Sequence, residues 1–446
     1  LTFVDYGHTL WAITSMRPAH QPPAEVEMPM TVPTPAPNVF DAGLPTFTYS
    51  LTATPQDILG DVRTAQSCAP MAIGPLGPEI LSYDLAREML RDNRFRLPPG
   101  ITLAAQGITS GPLFDKLTSS LLGLNGAPHV RLRKLVSKAF TPRATARLQD
   151  TIHEVMNGLI DQVMDAGRCD VVTDIARPYP TPIICALLGA PSQDWQLFAD
   201  WTEEIFKAFN FQTDVTFDES AIMGAWGELD AYVDDMVAAR RGSLTDDLLS
   251  ELIRAESDGD RLTLDELRGL AAGFLMAGTD TTRNQLAASV QVLCEHPDQW
   301  AKLRDQPELA MQAVEESMRH SPAACIVPRV ATEDAEFGGY TFPAGTFVLV
   351  NTLAANRDPA IYDDADRFDI ARKDVPAILT FGGGAHYCLG ANLARRELAE
   401  ALVVLTRRLP APRRVGPAPW KSVLGMTGPT TLPVDFSNNR LVAADA

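Results

Sequence analysis

The residues of this chain best suited to chemistry are ten near its C-terminus, Phe381-Gly-Gly-Gly-Ala-His-Tyr-Cys388-Leu-Gly390. One cysteine sits in a glycine-rich loop, and a helical pattern from Ala391 to about Arg408 opens directly behind it. Glycines let a backbone approach a flat cofactor closely. Unpaired amides and the positive dipole end at a helix start stabilise a negative sulfur. The pattern therefore suits a thiolate ligand for an iron centre. A free cysteine is also commonly a small buried hydrophobe, so the rest of the chain must decide between the two readings. A second candidate is the acid and alcohol Asp280-Thr281, inside Ala277-Gly278-Thr-Asp-Thr-Thr282. Gly278 costs about 1 kcal/mol relative to Ala in a helix interior and marks either a close approach or a local widening of the helix. The bland alternative is a solvated Asp280 and a Thr281 bonded to its own helix.

The spacing Phe-x-x-Gly-x-x-x-Cys-x-Gly, matched at Phe381, Gly384, Cys388 and Gly390, resembles the haem-binding loop of cytochrome P-450 enzymes, where a cysteine thiolate holds the iron. The resemblance covers roughly residues 50 to 436. It implies a mainly α fold with small β-sheets (α+β), a long central helix over the haem, and haem b (iron protoporphyrin IX) as cofactor. It makes Cys388 the metal ligand and sets Phe381, Gly382, Gly390, Ala277 and Gly278 against the haem. The segment from Ala277 is similar to the family's oxygen-binding segment, which implies proton delivery by Asp280 and a hydrogen bond from Thr281 to dioxygen. The physics agrees: splitting dioxygen needs protons brought into a dry pocket, which a relaying carboxyl and a placed hydroxyl can supply.

Further motifs follow the same resemblance. Glu316 and Arg319, three apart on one helical face, match an internal ion pair that a later arginine completes. In Asp364-Ala-Asp-Arg367-Phe368 the candidate third member is Arg367. This triad reads as structural support. His129, Arg133, Arg329 and His386 match the partners of the haem propionates, carboxylates that need cationic donors when held partly out of water. The reaction implied is insertion of one oxygen atom from O2 into a hydrophobic small molecule, by hydroxylation or epoxidation. Rival readings are a haem-thiolate enzyme of another kind (peroxide-driven, coupling or dehydrating) and a non-catalytic haem sensor. The acid–alcohol pair argues against the peroxide-driven version. No sensor output element is visible.

No Gly-x-Gly-x-x-Gly after a strand pattern and no iron–sulfur cysteines are present, so electrons are expected from a separate ferredoxin with its reductase. Between His129 and Gln149 lie Arg131, Arg133, Lys134, Lys138, Arg143 and Arg147 with no acid, and Arg395 and Arg396 join that face if the family fold holds. This basic patch predicts a salt-sensitive docking site for an acidic ferredoxin. The substrate region is expected at residues 97–124, whose charges are only Asp115 and Lys116, at Phe206, Phe209 and Phe211, and at Ile326, Val327 and 424–430.

These residues need a scaffold. From about residue 52 most segments show 3.6-residue apolar spacing, as in 84–91, 144–164 and 246–253. The capping box Thr263-Leu-Asp-Glu266 starts a helix of roughly 30 residues, about 45 Å long. Strand-like alternation is confined to 335–349 and 424–436. Residues 1–45 carry a Pro-rich run and read as an extension, leaving 46–446 as one domain. Of the chain's 446 residues 46% are hydrophobic, enough for a substantial core, and the formal charge of −18 argues against nucleic-acid binding. No apolar run of about 18 residues suggests a membrane span. Six scattered cysteines with no Cys-x-x-Cys pair make a structural zinc or a disulfide framework unlikely and point to the cytoplasm.

Overall fold

The predicted helix behind Thr263 runs over Leu264–Glu295, and its capping box forms: Thr263 Oγ1 accepts from the Glu266 amide while the Glu266 carboxylate accepts from the Thr263 amide. Its 32 residues make it the axis of the molecule, and most of those from Leu267 to Cys294 are buried. The computed structural model describes residues 35–98, 100–209, 217–257, 262–409 and 411–437.

Seven helices position the candidate site: α1 (Gly126–Val136), α2 (Gln149–Met164), α3 (Pro180–Leu188), α4 (Trp195–Phe206), α5 (Leu264–Glu295), α6 (Ala310–His320) and α7 (Ala391–Arg408). Further helices surround them, and the mainly helical fold with small sheets is as expected. Helix α7 matches its predicted bounds. The 144–164 prediction is broken near Arg147 into a short turn of helix, Pro142–Ala146, and α2. Helix α5 packs against α3, α4, α6 and α7. That contact builds the main core, from Leu103 on the N-terminal side through Leu286 to Leu402.

Among the described residues the strands are short: β1 (Met71–Gly74), β2 (Gly77–Ile80), β3 (Phe95–Arg96), β4 (Arg168–Asp170), β5 (Ile326–Ala331), β6 (Ala335–Phe337), β7 (Tyr340–Phe342), β8 (Phe347–Asn351), β9 (Arg413–Arg414) and β10 (Pro433–Asp435). They form a five-stranded sheet β1-β2-β8-β5-β3, a three-stranded sheet β4-β10-β9 and the hairpin β6-β7. Of the strand expected over 424–436 only β10 forms. Leu424 is instead a core residue, buried among Val62, Cys325 and Leu353. Strands β1–β5 carry little alternation of their own and owe their conformation to their neighbours.

Described residues on the N-terminal side of the expected boundary at residue 45 pack on the same sheets and hairpin as those beyond it. Val39 is fully buried and its amide bonds the Thr341 carbonyl at 3.0 Å, while Phe47 bonds Ile73 at 3.1 Å. Pro22, Pro23, Pro29 and Pro33 of the Pro-rich run lie outside the described residues. Among the described residues no helix is long and apolar enough to cross a membrane.

Candidate functional site

The loop that presents Cys388 is built from both ends. Its stem is tied to α6 and to Asn356: Thr380 Oγ1 donates to the Met318 carbonyl at 3.1 Å and accepts from Asn356 Nδ2 at 2.9 Å. Asn356 Oδ1 also accepts from the Leu379 amide at 2.8 Å. Gly382 and Gly384 take φ +69° and +64°, which favours glycine, and a Cβ at Gly384 would fall 2.5 Å from the Leu90 carbonyl oxygen. The Cys388 amide closes the loop on the Phe381 carbonyl at 2.9 Å. Gly390 then opens α7. A Cβ there would meet nothing within 4 Å, so the protein itself does not require glycine at 390 and a bound group pressed against the loop would.

Burial pushes the Cys388 thiol up from its ordinary value, against the Gly390 amide and the Arg133 and Arg395 guanidiniums, which favour the thiolate. Arg133 reaches across from α1 to donate to the Tyr387 carbonyl. Arg395 lies 4.4 Å over the Phe381 ring and donates to Tyr387 Oη at 3.1 Å.

Beside the loop the structure gathers His129, Arg133, Arg329 and His386, separated by up to 257 positions in the sequence. The His129 and His386 rings lie 4.2 Å apart, and His386 Nε2 meets Asn125 Oδ1 at 3.3 Å. Burial, then the nearby His129, Arg329 and Arg133, holds His386 down at about 4. Arg329 is 3% exposed, burial lowers it to about 10, and among the described residues its one hydrogen-bond partner is the Pro328 carbonyl, at 2.8 Å. Among the described residues no carboxylate pairs with Arg133 or Arg329, and the buried His129 Nδ1 has no hydrogen-bond partner. Buried cations require anions. A cluster of two arginines and an orphaned imidazole nitrogen beside a sulfur fits a flat iron macrocycle bearing carboxylates.

Helix α5 carries the other candidates. Gly273, Ala277 and Thr281, spaced by four, form a partly open stripe on an otherwise buried helix, and Ala277 is exposed. The helix runs unbroken through Gly278, without the widening considered from sequence. A Cβ at Gly278 would sit 3.0 Å from Ile184 of α3, so this glycine serves helix packing and not the face that carries Ala277. Thr281 Oγ1 donates to the Ala277 carbonyl at 2.7 Å. That bond uses the hydroxyl's one proton and leaves its lone pairs to accept.

Asp280 is not solvated. It is buried and paired with Arg283 at 2.5 Å. Arg283 also pairs with Glu203 of α4, which Arg177 binds at 2.9 Å. Burial alone would raise the Glu203 carboxyl, but Arg177 and Arg283 together hold it below the usual range. Asn284 Nδ2 donates to the Asp280 carbonyl at 2.8 Å and Lys421 Nζ to Asn284 Oδ1 at 2.9 Å. Burial lowers Lys421, with Asp280 opposing. Sequence reasoning missed Arg283, Glu203 and Lys421. Only Arg283, one helical turn after Asp280, left a local signal.

The supporting ion pair is present, with one correction. Arg319 and Glu316 form a buried two-pronged pair, at 2.7 and 2.9 Å. Arg319 also donates to the carbonyls of Asn356, Ala365 and Arg367. The third member is Arg372 and not Arg367. Arg372 Nε lies 3.4 Å from Glu316 Oε1 with its side chain 9% exposed. The Arg367 side chain is 61% exposed and pairs with Asp364 and Asp369. Only the Arg367 carbonyl faces inward, which sets its side chain outward.

Of the basic patch, Arg131 is paired with Glu266, Arg147 with Asp246, Arg395 with Glu315 and Arg396 with Glu400. Lys134, Lys138 and Arg143 are exposed and, among the described residues, make no ion pair. In the expected substrate region Thr102 Oγ1 donates to the Ala208 carbonyl at 2.7 Å, tying residues 101–105 to the turn that carries Phe209. The Phe206 and Phe209 rings lie 5.6 Å apart. Phe211 is outside the described residues. Ile326 and Val327 are half-buried.

A family model described as Cytochrome P450 matches residues 109–409. The chain is 38% identical over 382 residues to luteothin monooxygenase of Streptomyces thioluteus, covering 84% of this chain and 92% of that protein. It is 39% identical over 369 residues to mycinamicin IV hydroxylase/epoxidase of Micromonospora griseorubida, covering 81% and 90%. The solved structure of CalO2 superposes with a TM-score of 0.80 at 29% identity, covering 87% of this chain and 98% of that one.

Proposed function

The chain belongs to the cytochrome P450 family, and we propose that Cys388 is its haem ligand and that Asp280 and Thr281 are its proton-handling pair. It is an oxidoreductase of the monooxygenase kind. Members of the family bind haem b through a cysteine thiolate, and the group held in that way activates dioxygen so that one oxygen atom enters a substrate. The observation that carries the assignment is the gathering beside Cys388 of four basic side chains that, among the described residues, no carboxylate answers.

In this reading Arg133, Arg329, His129 and His386 hold the two propionates. The Gly390 amide, Arg133 and Arg395 favour the anionic form of the sulfur, which burial opposes and a bound iron would hold deprotonated. Phe381, Gly382 and Gly390 would shape the face that receives the macrocycle, with Ala277 on the other side of it. Thr281 Oγ1, its proton committed to the Ala277 carbonyl, accepts a hydrogen bond inside the pocket. Asp280 takes up protons from the solvent side at its carboxylate, which Arg283, itself anchored by Glu203, holds in place.

The substrate is a hydrophobic small molecule, hydroxylated or epoxidised, seated between the stripe on α5 and the segments around Thr102 and Phe206. One relative's name joins hydroxylase and epoxidase activities, which supports that pairing here. Electrons come from an acidic ferredoxin with its reductase, docking on Lys134, Lys138 and Arg143, and six unpaired cysteines suit a cytoplasmic setting. The test is the ferrous carbonyl spectrum of the haem-loaded protein, expected at the thiolate-type position in the parent and lost from it in Cys388→His. A parent that absorbs like a histidine-ligated haem protein would sink the assignment. Neutralising the three free cations is expected to slow ferredoxin-dependent reduction at low salt and leave reduction by dithionite unchanged.

A further inference from the structure

Three side chains around Cys388 share one partner. Arg395, one turn into α7, has its side chain 17% exposed and its guanidinium carbon 4.4 Å above the centre of the Phe381 ring. Its Nη1 donates to the Tyr387 phenol at 3.1 Å, and its Nε is paired with Glu315 of α6. Phe381 and Tyr387 fix the backbone that presents the sulfur. The Phe381 carbonyl accepts the Cys388 amide at 2.9 Å, and Tyr387 precedes Cys388 in the chain. Tyr387 is held a second time, through its carbonyl, by Arg133. A guanidinium is planar and always charged, so it can stack on one ring, bond a phenol and answer a carboxylate at once, which an ammonium cannot.

We propose that Arg395 is a positioning residue for the iron-binding sulfur: it fixes the Phe381–Tyr387 clamp around Cys388 and places a permanent positive charge behind the sulfur, tempered by Glu315. The proposal rests on the assignment of Cys388 as haem ligand. Two consequences separate it from simple packing. A fixed positive charge near the iron stabilises the reduced, more negative state, so Arg395 raises the reduction potential and Glu315 lowers it. The clamp also keeps the sulfur from drifting off the metal and taking up a proton.

The experiment is a pair of measurements on haem-loaded full-length protein: the reduction potential, and the rate at which the ferrous carbonyl adduct passes from the thiolate-type to the neutral-thiol-type spectrum. Arg395→Met is expected to lower the potential and speed that passage. Glu315→Gln is expected to raise the potential, the opposite sign. Arg395→Lys should keep the potential near the parent value while the passage still accelerates, because charge survives and the fork does not. A merely structural role would move Arg395→Met and Glu315→Gln in the same direction, and that result, or no shift in either, overturns the proposal. Should Arg395→Met fail to retain haem, Glu315→Gln and Arg395→Lys decide by the same signs. A parent without a thiolate-type spectrum is a different failure, that of the Cys388 assignment, and takes this proposal with it.

Discussion

The two walls of the proposed site are held by opposite means. The Cys388 loop has little regular structure of its own. Its shape comes from two left-handed glycines, from Leu90, Asn356 and Met318 at the stem, and from arginines on α1 and α7. The Asp280–Thr281 wall is one stretch of unbroken helix, with Thr281 bonded to its own backbone four residues back. A loop held by distant partners fails as a structure when one of them is removed. A helix stretch whose backbone satisfies itself can lose a side chain and keep its shape. The same insult should therefore cost stability and cofactor on one wall, and only chemistry on the other.

That contrast can be broken. The largest effect is expected from Arg319→Met, which leaves Glu316 buried without its main partner and frees the carbonyls of Asn356, Ala365 and Arg367. About 3–5 kcal/mol should be lost in urea unfolding, together with haem content. A loss under about 1 kcal/mol would mean that Arg372 can replace it. Next comes a carboxylate outside both walls, Glu79, fully buried and bonded to Tyr49 and Asn351 at 2.7 and 2.9 Å. Burial raises it from 4.5 to about 7, so the folded chain holds a proton that the unfolded chain releases. Its contribution is complete below pH 4.5 and is lost as pH rises to 7, roughly 3 kcal/mol in all. Glu79→Gln should flatten that part of the stability–pH curve, and an unchanged slope would refute it.

On the helical wall, Thr281→Ala should lower product formed per reducing equivalent by about 100-fold, while unfolding shifts by less than about 1 kcal/mol. Equal losses of stability and coupling would erase the contrast between the walls. The smallest effect falls on the loop again: Gly384→Ala should cost about 2 kcal/mol, for a left-handed conformation and contact with the Leu90 carbonyl. Retained stability would show that the loop can shift away from Leu90.

What was legible in the sequence follows the same division. Helix α5, its capping box and the acid–alcohol pair could be read because their determinants lie within a few residues of one another. Cys388, Gly384 and Gly390 could be read because a loop with so many geometric demands leaves a fixed spacing of residue types. Partners supplied from afar could not. Arg372 was mistaken for Arg367 because both follow the same acidic run, and only the folded chain shows which side chain turns inward to Glu316 and which offers its carbonyl. Glu203 and Lys421 come from segments with no local mark of a charged role. Gly278 drew attention as an active-site glycine, yet it yields room to Ile184 on a helix 94 positions earlier. Strands β1–β5 went unread because two to six residues cannot display a period.

The bond from Arg133 to the Tyr387 carbonyl joins positions 254 apart in the chain. Contacts of that sequence separation form late, since the entropy of closing so large a loop must be met before anything is gained. Helix α5 can form early from local bonds, whereas the loop that carries the sulfur waits until residues 133 and 387 have met. During synthesis the proposed berth of the cofactor is thus completed only after Tyr387 has emerged, and in hydrogen exchange its amides should be the first of the site to open.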